Sequence, residues 1–132
     1  LTCDVMFDDC RIPASALLGG VEGNGFRTAM QVLDKGRLHI ASLCTGIAWR
    51  LISASVRFAA ARSQFGSRIA DFQLDQAMIA DSRTEAYAAE CMVLDAARKR
   101  DRGETTTVEA SCAKLFASEM VGRVADRAVQ IH

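Results

Sequence analysis

Along the middle of the chain, apolar residues recur at helical spacing. Leu43, Ile47, Leu51, Ala54, Phe58 and Ala61 follow one another at intervals of 4, 4, 3, 4 and 3 residues, which places them on one face of an α-helix. Between Leu38 and Ala61 only Arg50 and Arg57 are charged. A helix this apolar is buried on several faces, so in a small bundle the pattern predicts that a second copy covers one of them. A second stripe, Ile79, Ser82, Ala86, Ala89, Val93 and Ala96, predicts a helix that Asp71 caps and Gly103 stops. Arg98, Lys99, Arg100 and Arg102 lie near its C-terminus, where cations suit the helix dipole. Thr106 to Glu109 reads as a capping box. It opens a last helix with the face Ala113, Phe116, Ala117, Met120, Val121, Val124, Ala128 and Ile131.

Upstream, Val5 and Phe7 share a parity and suggest a short strand. Pro13 ends regular structure, a glycine-rich loop runs to Gly25, and Asn24 is placed to cap a short helix over 25–34. The expected fold is all-α: an antiparallel four-helix up-and-down bundle with a short N-terminal strand or loop. Long helices are expected near 37–63, 72–102 and 106–131, with no strand between residues 40 and 130. The chain opens at Leu1 inside a strand-like pattern and stops at His132 inside a helical one. It is therefore expected to be a piece of a longer protein.

Composition narrows the class. Sixteen basic and sixteen acidic residues give no net charge, which argues against nucleic acid as a partner and against a polybasic membrane surface. Half of the 132 residues are hydrophobic, as in a folded globular domain. Leu38 to Trp49 is the longest apolar run without a formal charge, and it is too short for a membrane span, which needs about 20 residues. Cys3, Cys10, Cys44, Cys91 and Cys112 are odd in number and show no C-x-x-C spacing. They read as reduced thiols of a cytoplasmic or mitochondrial-matrix protein.

The chain is poor in catalytic motifs. His39 and His132 are its only histidines, so a Ser-His-Asp triad and a Cys/His zinc site are set aside. No glutamate has a histidine three residues on, as a di-iron bundle requires, and no metal is expected. Gly19 to Gly25 lacks the leading strand and the closing Lys-Ser/Thr of a phosphate loop. What remains is Arg62-Ser63-Gln64-Phe65-Gly66 and Phe72-Gln73. A guanidinium can grip phosphate oxygens in pairs, the amides can hydrogen-bond, and Phe65 offers a face to a planar ring. The same residues also suit a helix end followed by a turn.

This segment, "AAARSQFGSRIADFQ", resembles the flavin-contact segment of the acyl-CoA dehydrogenase family. The likeness extends to "FDDCRIPASALLGGVEGNGFRTAMQVLDKGR" and "ASCAKLFASEMVGRVADRAVQIH". It implies that residues 1–20 end a β-domain with its linker, and that 21–132 form the C-terminal helical domain. It implies FAD as cofactor, an acyl-CoA substrate undergoing α,β-dehydrogenation, an electron-transfer flavoprotein as electron acceptor, and a homodimer or homotetramer. By that resemblance Arg62 reaches the flavin pyrophosphate of a neighbouring subunit, with Ser63, Gln64, Phe65, Phe72, Gln73 and Gln130 at further flavin contacts. Asp34 and Arg37 match the acyl-CoA contact segment. The family's base is expected beyond His132. Its alternative position is occupied by Gly36, which cannot take a proton, so no catalytic residue is assigned. Related flavin-dependent oxidases and monooxygenases share the domain, and a helical oligomerisation module without a site is the reading from another class.

Overall fold

The computed structural model describes residues 2–132. Its three long helices are α1 (Gly25–Ala61), α2 (Gln73–Asp101) and α3 (Thr107–Ile131). Between α1 and α2 lies a small antiparallel hairpin of β1 (Ser63–Gln64) and β2 (Ser67–Arg68), followed by a single 3₁₀ turn, Ile69–Asp71. The chain divides between Val32 and Leu33 into two compact units. The first holds two 3₁₀ turns, Ala14–Ala16 and Leu18–Gly20, and the opening turns of α1. Its large apolar residues, Met6, Phe7, Leu18 and Phe26 among them, are exposed.

The second unit is built by three antiparallel passes. Glu85 of α2 meets Arg123 and Arg127 of α3, while Lys99 meets Glu109, so α2 and α3 run in opposite directions. Asp34 meets Thr107, and Phe58 stacks on His132, so α1 and α3 run the same way. Helices α2 and α3 make the closest approach. Alanine allows it: Ala86, Ala89 and Ala96 face a row that includes Ala110, Ala113 and Ala117, all buried. Helix α1 closes the core with Leu38, Ala41, Cys44, Ala48 and Ile52, around Met120 and Val124.

The α2 and α3 stripes face the core as expected, but several other expectations are corrected. Residues 25–34 and 37–61 form one helix of 37 residues instead of two. Gly36 is not in a left-handed conformation, and an Asp34–Arg37 ion pair spans it one turn apart. A single interior glycine costs a helix about 1 kcal/mol, too little to end it. A strand pair stands where none was expected, because the turn after α1 folds back on itself. Leu43, Ile47 and Ala61 of the α1 stripe are exposed, while Leu51, Ala54 and Phe58 are half-buried. The core-facing side is instead Ala41, Cys44, Thr45, Ala48, Ile52, Ser55 and Ala59. Among the described residues there are the three long helices expected, but no separate fourth helix, since 25–34 opens α1, and no strand at residues 2–7. The Val5–Phe7 alternation finds no strand to pair with among the described residues.

Caps differ too. Phe72, not Asp71, occupies the N-cap of α2, and Asp71 pairs with Arg68. Thr106 does sit at the N-cap of α3, but without a side-chain bond, and Glu109 turns to Lys99 instead of closing a capping box. The stop of α2 is as read. Gly103 (φ 79°) takes the left-handed position, its N–H donates to Arg100 O, and Glu104 N–H donates to Lys99 O, the paired bonds of a Schellman end.

Candidate functional site

The Arg62–Gln73 segment is fixed by backbone bonds. Arg62 N–H closes the last turn of α1 on Phe58 O at 2.9 Å, and Arg62 O accepts from Ile69 N–H at 2.9 Å. Between these, Ser63 pairs with Arg68 and Gln64 with Ser67. The two residues of the turn, Phe65 (φ 53°) and Gly66 (φ 83°), are both left-handed. Two positive φ values in a two-residue loop are the mark of a type I′ hairpin, whose twist suits paired strands. Glycine adopts this freely, whereas a bulky residue does so at a cost. The result is a phenyl ring 95% exposed at the hairpin tip. Arg62, Ser63 and Gln64 are exposed beside it, and Arg62 makes no ion pair among the described residues.

Phe72 is half-buried where the chain enters α2, and Gln73, the first residue of that helix, is exposed. Gln76 Nε2 donates to Ala70 O at 2.9 Å and ties α2 back to the 3₁₀ turn. At the end of α3, His132 Nδ1–H donates to Ala128 O at 2.8 Å while its ring stacks on Phe58, centroids 4.5 Å apart. That stack sets the end of α3, and with it exposed Gln130, at the same end of the bundle as the hairpin.

Asp34 and Arg37 lie elsewhere. Arg37 Nη1 donates to Asp34 Oδ1 at 2.6 Å, and Thr107 Oγ1 donates to Asp34 Oδ2 at 2.7 Å. The carboxylate thus orients the guanidinium and fastens α1 to the first residue of α3. Arg37 and Arg62 are 25 positions apart on and just after one helix, which at 1.5 Å per residue is about 38 Å. The six residues from Arg62 to Gln73 come together, with Gln130 at their end of the bundle. The Asp34–Arg37 pair does not join them.

Thr107 was invisible to pattern reading, since nothing in Thr-Thr-Thr marks one hydroxyl as a tether. A second feature also went unread. Glu85 on α2 accepts from Arg123 at 2.9 Å and from Arg127 at 2.8 Å. Burial alone would raise the Glu85 carboxyl, but the hydrogen bonds and charges of the two arginines outweigh it and hold it below the ordinary range. Two arginines four apart on α3 were the available sign. Lys99, between Asp95 and Glu109, is raised by hydrogen bonds to both. No helix among the described residues is long and apolar enough to cross a membrane.

A three-helix unit carrying this hairpin after its longest helix defines the class. The chain belongs to the acyl-CoA dehydrogenase family: residues 23–132 match "Acyl-CoA dehydrogenase, C-terminal domain". Among its relatives is the caffeyl-CoA reductase-Etf complex subunit CarC of Acetobacterium woodii, 43% identical over 99% of this chain and 34% of that protein. A chain in the structure of the electron transferring flavoprotein of Acidaminococcus fermentans superposes with a TM-score of 0.92 at 41% identity, covering 96% of this chain and 33% of that one. Butyryl-CoA dehydrogenase from Megasphaera elsdenii superposes at 0.83 with 39% identity, over 85% of this chain and 29% of that one. The chain thus spans about a third of the length of the relatives it matches.

Proposed function

We propose that residues 21–132 are the C-terminal helical domain of an FAD-dependent acyl-CoA dehydrogenase, and that residues 1–20 close a preceding β-domain. Bound there, FAD would supply hydride acceptance from the substrate's β-carbon, with electron transfer on to an electron-transfer flavoprotein. This chain's part is to bind and to position. The Arg62 guanidinium holds the flavin pyrophosphate, Ser63, Gln64, Gln73 and Gln130 supply polar contacts, and Phe65 and Phe72 supply apolar ones. Asp34 and Arg37 hold the acyl-CoA, with Asp34 setting the plane of the arginine. Gly36, beside them, offers no base, so proton abstraction falls to a residue outside this chain. The protein works as a homodimer or homotetramer in a cytoplasm or a mitochondrial matrix.

The carrying observation is the separation of the two groups. One chain puts an exposed guanidinium and phenyl at one end of α1 and the Asp34–Arg37 pair about 38 Å away by helix length. Such spacing suits a cofactor shared between subunits, with each chain giving its hairpin to a neighbour's flavin. The hairpin also fits the group chemically: a guanidinium without an internal partner for phosphate, an exposed aromatic face for a planar ring, and free primary amides.

The test uses the full-length protein. Arg62→Ala is expected to weaken flavin retention roughly ten- to a hundred-fold, the equivalent of the 1.5–3 kcal/mol of a charge-assisted contact. Arg62→Lys should rescue it only partly, because a point charge lacks the planar fork. Flavin content after dialysis reads this out, and wild-type retention in the alanine variant overturns the site. A panel of acyl-CoA thioesters with a dye acceptor, run beside oxygen uptake, separates a dehydrogenase from an oxidase.

A further inference from the structure

Near its C-terminal end, α1 meets α2 and α3 around a small cavity lined by Ser55 and Ser82 and by Ile52, Val124, Ala128 and Ile131. Both serines are buried, Ser55 at 3% exposure and Ser82 at 4%. Ser82 Oγ donates to Met78 O at 2.7 Å. That bond uses its one proton and leaves its lone pairs free to accept. Ser55 Oγ has no partner among the described residues. Other hydroxyls in these helices solve the same problem locally: Ser42, Thr45, Thr84 and Ser111 each donate to the carbonyl four residues back. Ser55 does not, and a buried hydroxyl left alone forfeits its bonds to solvent with nothing in exchange.

The size of the cavity decides what can sit there. It leaves about 10 Å³ for the centre of a water molecule, and one internal water needs roughly 10–15 Å³ on that measure. One water fits, whereas two waters or an organic group do not. We propose that a single water molecule is a resident part of this fold, bridging Ser55 Oγ on α1 and Ser82 Oγ on α2. It accepts from the Ser55 hydroxyl and donates to the Ser82 oxygen, so each buried hydroxyl gains a partner. Ser55 stands seven residues, about two turns, before Arg62. The bridge therefore pins the stretch of α1 from which the hairpin springs. It does not depend on what the hairpin binds.

Two measurements on the full-length protein test this. A crystal structure sharp enough to show ordered solvent should place one water within hydrogen-bond distance of both serine oxygens. A dry cavity with Ser55 Oγ turned to Leu51 O overturns the proposal, as does a water that touches only one serine. Hydrogen exchange at the amides of residues 52–61 provides the second arm. Ser55→Ala and Ser82→Ala should each speed exchange there, and the double variant should speed it by less than the product of the two factors, because one shared water is lost in every case. Exchange that rises by the full product shows two independent hydroxyls and sinks the bridge.

Discussion

Phe65 holds a left-handed backbone at φ 53° and keeps its ring 95% exposed. Neither choice helps the fold, since a non-glycine residue there costs on the order of 1 kcal/mol or more. Strain held by a side chain with nothing to pack on points to a purpose outside the chain. Phe65→Gly should therefore leave the apo protein as stable as wild type, or more stable by about 1 kcal/mol, while flavin retention falls. Melting of the apo form and flavin content after dialysis check the two halves. A variant that is less stable and keeps its flavin would make Phe65 a structural residue. Gly66 was legible in sequence as a breaker, and Arg62 and Phe65 as residues of a helix end and the turn after it. The left-handed Phe65 was not, because residue type predicts φ > 0 at glycine and argues against it at phenylalanine. Thr107 was missed because a hydroxyl's partner depends on which helix ends beside it, and that is set by tertiary packing.

At the scale of elements, the α2–α3 pair is held by alanine packing inside and by the Glu85 clasp outside. Glu85 is lowered in the folded state, so the folded chain binds its proton less readily than the unfolded chain. Its stabilising share is therefore complete above the ordinary glutamate value of 4.5 and is lost as pH falls through the lowered folded value. The groups are part-exposed, at 22% for Glu85, 45% for Arg123 and 23% for Arg127, so after screening the clasp is worth only about 1 kcal/mol. Glu85→Gln should lower the urea midpoint of this domain near neutrality, and the gap from wild type should close as pH drops below 4.5. A gap that stays constant into acid would show that the carboxylate charge is not what matters. Helix identity was legible here because the α2 and α3 stripes are continuous and the Gly103 stop is strong. Leu43 and Ile47 of the α1 stripe lie off this chain's core for a physical reason. The core side reads Ala41, Cys44, Thr45, Ala48, Ile52, Ser55 and Ala59, mostly small or weakly polar residues that carry little periodic signal beside the larger Leu43 and Ile47. The hairpin escaped because two-residue strands carry no periodicity.

For the whole molecule, that displaced stripe is informative. Helix α1 has two apolar sides, one buried in this chain and one carrying Ile40, Leu43 and Ile47 at 44%, 59% and 43% exposure. Their spacing of 3 and 4 continues into half-buried Leu51, Ala54 and Phe58, so the exposed side is a seam and not scattered surface apolarity. A second copy across a two-fold axis would cover it with the same seam, and would also let each chain's hairpin reach its neighbour. Leu43→Asp with Ile47→Asp removes two side chains from each side of such an interface. Full burial of each is worth about 1.5–3 kcal/mol, and these are already about half covered. The loss across both copies is then roughly 3–6 kcal/mol, about a hundred- to ten-thousand-fold in association. Light scattering of the full-length variant over a dilution series should show it dissociating where wild type does not. Far-UV circular dichroism should be unchanged, because neither residue is in this chain's core. Flavin retention should fall with dissociation even though Arg62 and Phe65 are intact. A variant of wild-type size at every dilution places the contact on another face, and a dissociated variant that holds its flavin as tightly as wild type shows that the hairpin serves its own chain.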